Sequence, residues 1–221
     1  MRKIRLASFI SVDGVMQGPG GPQEDTTGGF AFGGWVWPHF DEASGGLMSQ
    51  AMGQDYDLLL GRRTYEIFAA YWPTMDNEIG RTFNTIKKYV AAGPDTPMTW
   101  AHSHRLKGDL VEAVRVLKAT PGRDLLIQGS SELVQTLLGV GLIDELTTLT
   151  FPIMLGRGKR LFDSAASPRS WVLEQSVPSS TGVVVNRYRL AGEVETGSFA
   201  EQEPGPAELE RRARWAREDR D

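Results

Sequence analysis

Apolar positions recur along this chain with two periods. Residues 4–12 are apolar on both faces of an extended segment, and 57–60, 88–92 and 125–128 are short runs of the same kind. Such runs predict central strands covered on both sides. Between them the spacing becomes helical. Thr64, Ile67, Phe68 and Tyr71 share one face, Leu110, Val111, Val114 and Leu117 a second, and Leu133, Val134, Leu137 and Leu138 a third. Residues 144–151 resume a strand pattern, so 125–151 reads as strand, helix, strand with the right-handed crossover of parallel neighbours.

Residues 170–177 and 183–190 are β-rich runs separated only by Pro178, Ser179, Ser180, Thr181 and Gly182, which predicts a hairpin. A parallel sheet that finishes with an antiparallel strand is a mixed α/β architecture of about eight strands. After Gly192 the strand pattern stops. The chain therefore divides into a domain over residues 1–192 and a polar tail over 193–221. In the tail, residues 207–218 fit a charged helix with Leu209, Ala213 and Ala216 on one side. So few apolar groups bury little, which favours a solvated extension over a partner-binding helix.

The front of the chain has neither period. Ten of the 25 glycines lie between Gly14 and Gly46, interleaved with Phe30, Phe32, Trp35, Trp37 and Phe40. A linker would lack the aromatics and a regular element would lack the glycines, so this is a long loop that packs. Loops of this length are functional, often as lids, or else disordered.

Composition narrows the class. The chain has 221 residues, 40% of them apolar and 24% charged, and no run approaches the ~18 apolar residues of a membrane span. Arg5 interrupts the first apolar stretch and Asp13 ends it, unlike a secretory signal. With no cysteine there is no disulfide, thiolate metal site or cysteine nucleophile, and a cytoplasmic location is expected. Residues 193–221 hold 9 acidic and 5 basic groups, the whole net charge of -4, leaving 19 of each sign in residues 1–192. A neutral body without a basic block argues against nucleic acid as partner.

Two junctions carry candidate chemistry. In Leu58-Leu59-Leu60-Gly61-Arg62-Arg63-Thr64 a buried strand passes through glycine directly into a helix. Free N–H groups of the first turn, two arginines and a hydroxyl suit a phosphate; the same residues also suit a Thr64 helix cap with solvated arginines. In Leu125-Leu126-Ile127-Gln128-Gly129-Ser130-Ser131 the pattern repeats, with a serine-capped turn as the plainer reading. Two such junctions in one open sheet can face one cleft, and a dinucleotide has several phosphates to hold. Neither Gly-x-Gly-x-x-Gly, Gly-Lys-Ser/Thr nor Gly-x-Ser-x-Gly occurs. His102 and His104 would share a strand face but lack a third ligand, so no metal is expected. Arg157, Lys159 and Arg160 suit either a phosphate or a solvated turn.

Five motifs in order carry a resemblance: Ser11-Val12-Asp13-Gly14, Gly61-Arg62-Arg63-Thr64, Gly129-Ser130-Ser131-Glu132-Leu133, residues 141–146 and residues 152–162. Over residues 2–190 the chain resembles the dihydrofolate-reductase-like superfamily. Within it, the resemblance is to the reductase domain at the C-terminus of the riboflavin-biosynthesis deaminase-reductase. The resemblance implies a dihydrofolate-reductase-like, mostly parallel sheet with helices on both faces and a C-terminal antiparallel hairpin. It implies NADP(H), with Gly61, Arg62, Arg63 and Thr64 on cofactor phosphates and Gly129, Ser130, Ser131 and Leu133 along the pyrophosphate. The loop after Val12 would close over the nicotinamide, and relatives suggest a homodimer.

The activity so implied is hydride transfer to a C=N or C=O bond of a pterin, pyrimidine or related small heterocycle. The alternatives are a riboflavin-pathway 5-amino-6-ribosylaminouracil phosphate reductase and a nucleotide-binding module without turnover. Gly129-Ser130-Ser131 in place of consecutive glycines, and a longer front loop, argue against folate itself. Asp41, where the helix before the first junction opens, is the candidate proton donor, with Asp13 as competitor. Asp41 also suits a helix N-terminus, and Asp13 a turn.

Overall fold

The computed structural model describes residues 1–163, 167–200 and 202–218. One mixed sheet contains β1 (Ile4–Ser11), β2 (Tyr56–Gly61), β3 (Lys88–Ala91), β4 (Ser103–Arg105), β5 (Asp124–Ile127), β6 (Glu145–Phe151), β7 (Ser170–Pro178) and β8 (Val184–Gly192). Their order is β4-β3-β2-β5-β1-β6-β8-β7. The six strands from β4 to β6 run parallel, while β8 and β7 run antiparallel and close one edge. β5 and β6 are parallel, but they are not neighbours as the strand-helix-strand reading had it. β1 lies between them, pairing Ile4 with Leu125 on one side and Arg5 with Glu145 on the other. A strand that is apolar on both faces and hydrogen-bonded along both edges belongs in the middle of a sheet.

The helices are α1 (Glu42–Met52), α2 (Arg62–Tyr71), α3 (Glu78–Thr85), α4 (Leu110–Ala119), α5 (Ser131–Gly139) and α6 (Pro206–Glu218). Alternate residues of the central strands feed two cores. Ile4, Leu6, Leu59, Leu125 and Ile127 meet Val114 of α4 and Val134 and Leu137 of α5. Leu58, Leu60 and Leu126 meet Met52, Tyr65 and Phe83 from α1, α2 and α3 on the other side. Period-two alternation with both faces covered is what the continuous apolar runs require.

The front loop builds a third core. Val15, Phe30, Trp35 and Val36 are buried against Leu149 and Phe151 of β6 and Val183 and Val185 near the hairpin. The Trp35 indole donates to the Gln17 carbonyl at 2.8 Å and meets the Phe151 ring edge-on at 5.3 Å. The buried Gln17 amide donates to the carbonyls of Asp25 and Thr27 at 3.1 and 2.9 Å and accepts from Lys159 N–H at 3.0 Å. A Lys159–Asp25 ion pair at 2.5 Å completes the attachment. The loop is a packed wall.

In the tail, α6 buries no residue, and its Arg211 and Arg212 pair with Glu208 on the same helix. Among the described residues, no helix is long and apolar enough to cross a membrane.

Candidate active site

β2 and β5 are adjacent and parallel, with Leu58 opposite Leu126, so their chains leave the sheet side by side. Gly61 ends β2 and is the N-cap of α2, and Ser130 is the N-cap of α5. Neither cap residue makes a side-chain capping bond. The first-turn N–H groups of both helices are thus free of the capping that a structural reading of Thr64 or Ser130 would supply. Thr64 Oγ1 lies 2.8 Å from Ser130 Oγ, tying the two junctions together. A Cβ at Gly61 would fall 2.2 Å from Ser130 Oγ, and one at Gly129, where φ is +150°, would fall 3.1 Å from Thr64 Oγ1. Such close approach needs glycine.

The junctions open onto a polar cleft of about 420 Å³, which Gly61, Arg62, Arg63, Thr64, Gly129, Ser130, Ser131 and Leu133 all line. The opposite side comes from residues 16–19, Glu24, Asp25 and Lys159. Arg62 pairs with Glu66 at 2.9 Å and is half-exposed, while Arg63 donates to Thr27 Oγ1 at 3.3 Å. Of the three cations in the 157–160 turn, Lys159 alone lines this cleft. Arg157 lies over the Phe32 ring and Arg160 is bound to the carbonyl and carboxylate of Asp13.

A second chamber of about 450 Å³ shares Ser8, Phe9, Pro19, Glu24, Ile67, Phe68 and Gln128 with the first. It is otherwise apolar, with Met48 of α1, Tyr71 at the end of α2, Trp72 just after it, and Leu149 of β6 among its lining. A polar, cation-bearing cleft therefore opens into an aromatic one.

Neither carboxylate singled out in the sequence lines either chamber. Asp41 is the N-cap of α1 in a capping box with Ser44, and its carboxylate also accepts from Ser180 Oγ at 2.6 Å. The Ser180 hydroxyl, with Ser44 behind it, holds the Asp41 carboxyl down at about 2. Asp13 accepts from Ser11 Oγ at 2.6 Å and from the N–H groups of Leu155 and Gly156, and the Ser11 bond above all holds it at about 2. A group ionised so far below neutrality is a poor acid at pH 7. Both residues fasten loops away from the chambers, which weighs against Asp41 or Asp13 as proton donor.

Asp25 and Glu132 line the polar cleft but not the aromatic chamber, whereas Glu24 is the acidic group that lines both. Its Oε2 accepts from the N–H groups of Gly20 and Gly21, and burial pushes its carboxyl above the ordinary value against the pull of those two amides. Its signal in the sequence is faint: Gly20-Gly21-Pro22-Gln23-Glu24-Asp25, an acidic pair just after a glycine pair.

Known proteins share this architecture. The family model of the RibD C-terminal domain matches residues 2–185. The protein YyaP of Bacillus subtilis (strain 168), itself uncharacterized, is 24% identical over 196 residues, covering 86% of this chain and 96% of YyaP. A provisionally named riboflavin biosynthesis protein from Shewanella sp. PV-4 superposes with a TM-score of 0.64 at 21% identity, covering 86% of this chain and 99% of its own. A pyrimidine reductase-like protein from Corynebacterium diphtheriae gives 0.59 at 15% identity, over 87% and 93%. Dihydrofolate reductase from Enterococcus faecalis, complexed with NADP(H), gives 0.55 at 13% identity, over 85% and 96%. With its mixed eight-stranded sheet and a family match over most of its length, the chain belongs to the RibD C-terminal domain family, a reductase-type family on the dihydrofolate reductase fold.

Proposed function

We propose that the protein is an NADPH-dependent reductase that delivers hydride to a C=N or C=O bond of a pterin, pyrimidine or related small heterocycle. The observation that carries this reading is the meeting of two uncapped helix N-termini at one polar cleft that opens into an aromatic chamber. The residues fit the cofactor: glycine at positions 61 and 129 lets Thr64 and Ser130 meet where α2 and α5 begin, so that both helix N-termini face one cleft. First-turn N–H groups of α2 and α5, with the hydroxyls of Thr64, Ser130 and Ser131, would hold the pyrophosphate. Arg62 and Arg63 would take the 2'-phosphate, and Leu133, which lines the cleft, would lie along the pyrophosphate side. When bound, NADPH supplies the hydride. Phe9 and Ile67, at the boundary of the chambers, would exclude water and align the two rings.

A ribosylaminouracil phosphate as substrate is less well supported, because among the described residues no lysine or arginine lines the aromatic chamber. The test is a titration of NADPH and NADH against wild type, Arg62→Ala and Arg63→Ala. Losing one charge-assisted contact should weaken NADPH by ~10 to 100-fold and leave NADH nearly unchanged. Equal weakening of both would refute the phosphate assignment. NADPH oxidation with a panel of pterins and pyrimidines then separates a reductase from a module that only binds.

A further inference from the structure

We infer that the open groove between β4 and α4 receives the acidic stretch 193–203 of a second copy of this chain, laid along the sheet edge with Phe199 in the groove. The groove holds about 580 Å³ and shares no lining residue with either chamber. Tyr89 of β3 and His104 of β4 form its floor, their rings tilted by 32° with centroids 5.8 Å apart, and Val116 and Leu117 of α4 form a wall. Val116 is 64% exposed, so this apolar wall stands in water. β4 is also the outermost strand, paired on one side alone. Lys88 N–H donates to the His102 carbonyl and Leu106 N–H to the Val90 carbonyl, so the even-numbered residues face β3. The backbone groups of Ser103 and Arg105 therefore point outward, where an added strand would bond them.

The charges at the rim favour an acidic strand. Glu112 is paired with Arg115 and Asp109 caps α4, while the exposed Lys87 and Lys107 ammonium groups have no ion pair among the described residues. Residues 193–203 carry the complementary pattern. Glu193, Glu195, Phe199, Glu201 and Glu203 all hold odd positions, the even positions are uncharged, and no basic residue occurs before Arg211. In an extended segment the odd positions share one face, which here presents an aromatic ring flanked by carboxylates. Phe199 lies outside any helix or strand and is fully exposed.

Chain length assigns the segment to another copy. β8 and β4 are six strand spacings apart, about 29 Å at ~4.8 Å each. The stretch from Gly192 to Phe199 reaches at most ~25 Å fully extended, so Phe199 falls short of the groove on its own chain. One aromatic anchor and a few exposed ion pairs make a weak contact, which forms at high protein concentration and leaves melts of dilute protein unchanged.

Sedimentation of the full chain from micromolar to millimolar concentration tests this, together with a fluorescein-labelled peptide of residues 192–204. The average mass should rise with concentration, and Phe199→Ala, Val116→Glu and Lys107→Glu, all at exposed positions, should each weaken the association about tenfold or more. The peptide should bind the Phe199→Ala chain, whose groove is empty, and lose that binding when Val116→Glu is added. A rise in mass that none of the three variants changes would place the association on another surface and overturn the inference. Peptide binding to Phe199→Ala without self-association of the wild type would mean that each tail fills its own groove, which overturns the second copy as occupant. Failure of the peptide to bind overturns the groove itself.

Discussion

The two sides of the cleft are built by different means. One consists of the β2–α2 and β5–α5 junctions, whose positions follow from parallel strand register and whose close contact needs glycine at 61 and 129. The other is the front loop, which an isolated antiparallel bridge of Val15 with Arg160 and a few backbone bonds, such as Met16 N–H to the Lys159 carbonyl, place without a continuous ladder. A small aromatic core around Trp35 and a few side-chain bonds from Gln17, Asp13 and Lys159 hold it. Register spreads its support over many backbone bonds, whereas the loop has few of these and relies more on side chains. The loop should therefore be the more easily broken by single truncations.

The largest effect should come from Trp35→Ala, which removes the centre of the loop's core and leaves the Gln17 carbonyl without its donor. Truncating a buried tryptophan costs ~3 to 5 kcal/mol, which for a chain of this size lowers the melting temperature by about 10 °C. A drop of less than ~2 °C would mean that the loop is held by something else. On the sheet-borne side, Gly61→Ala forces a Cβ into Ser130 and should cost ~1 to 3 kcal/mol by overpacking, with weaker NADPH binding. Adding Ser130→Gly removes the obstructing side chain and should restore most of the melting temperature. If it does not, backbone strain rather than the clash is responsible.

A smaller change is expected from Asp13→Asn. The Asp13 carboxyl lies at about 2 in the folded protein against an ordinary 3.8. Its contribution to stability is therefore complete above about pH 4 and lost as the pH falls through 2. Melts of wild type and variant should differ at pH 7 and converge in that window; a gap that stays constant down to pH 2 would exclude the linkage. The smallest effect is expected from deleting residues 193–221, which touches neither side of the cleft. α6 buries nothing, so we propose that the domain ends with β8, and the melting temperature should change by less than ~5 °C. A larger fall would show that the tail docks.

What the sequence made legible follows the same division. The two junctions stood out because a buried run, a glycine and a helical face occur in order, and each signal is local. Strand β4 was legible only as a shared face for His102 and His104, because it is a three-residue edge strand with no apolar run, and His102, at φ +61°, lies outside it. Helix α3 escaped because Ile79 and Phe83 alone anchor its eight residues to the core. Strand order was misread at β5 and β6 because burial patterns report which residues are covered, not which strand lies alongside. Glu24 left only a faint signal for a related reason. Its placement depends on contacts between Gln17, Asp25 and Lys159, which are far apart in sequence and belong to no periodic element.

The central place of β1 also bears on how the molecule is made. Its two partners begin at Asp124 and Glu145, more than a hundred residues downstream, so both edges of the first strand wait for the late part of the chain. During synthesis β1 would emerge with an apolar surface on each face and no neighbour, and the sheet could not close until residues near Phe151 had cleared the ribosome. Contacts of such long sequence separation carry loop-closure entropy that must be met before any pairing is gained, which places this domain among slow folders. The strand that ends at the mouth of the cleft is then the one whose unpaired edges stay longest open to another chain.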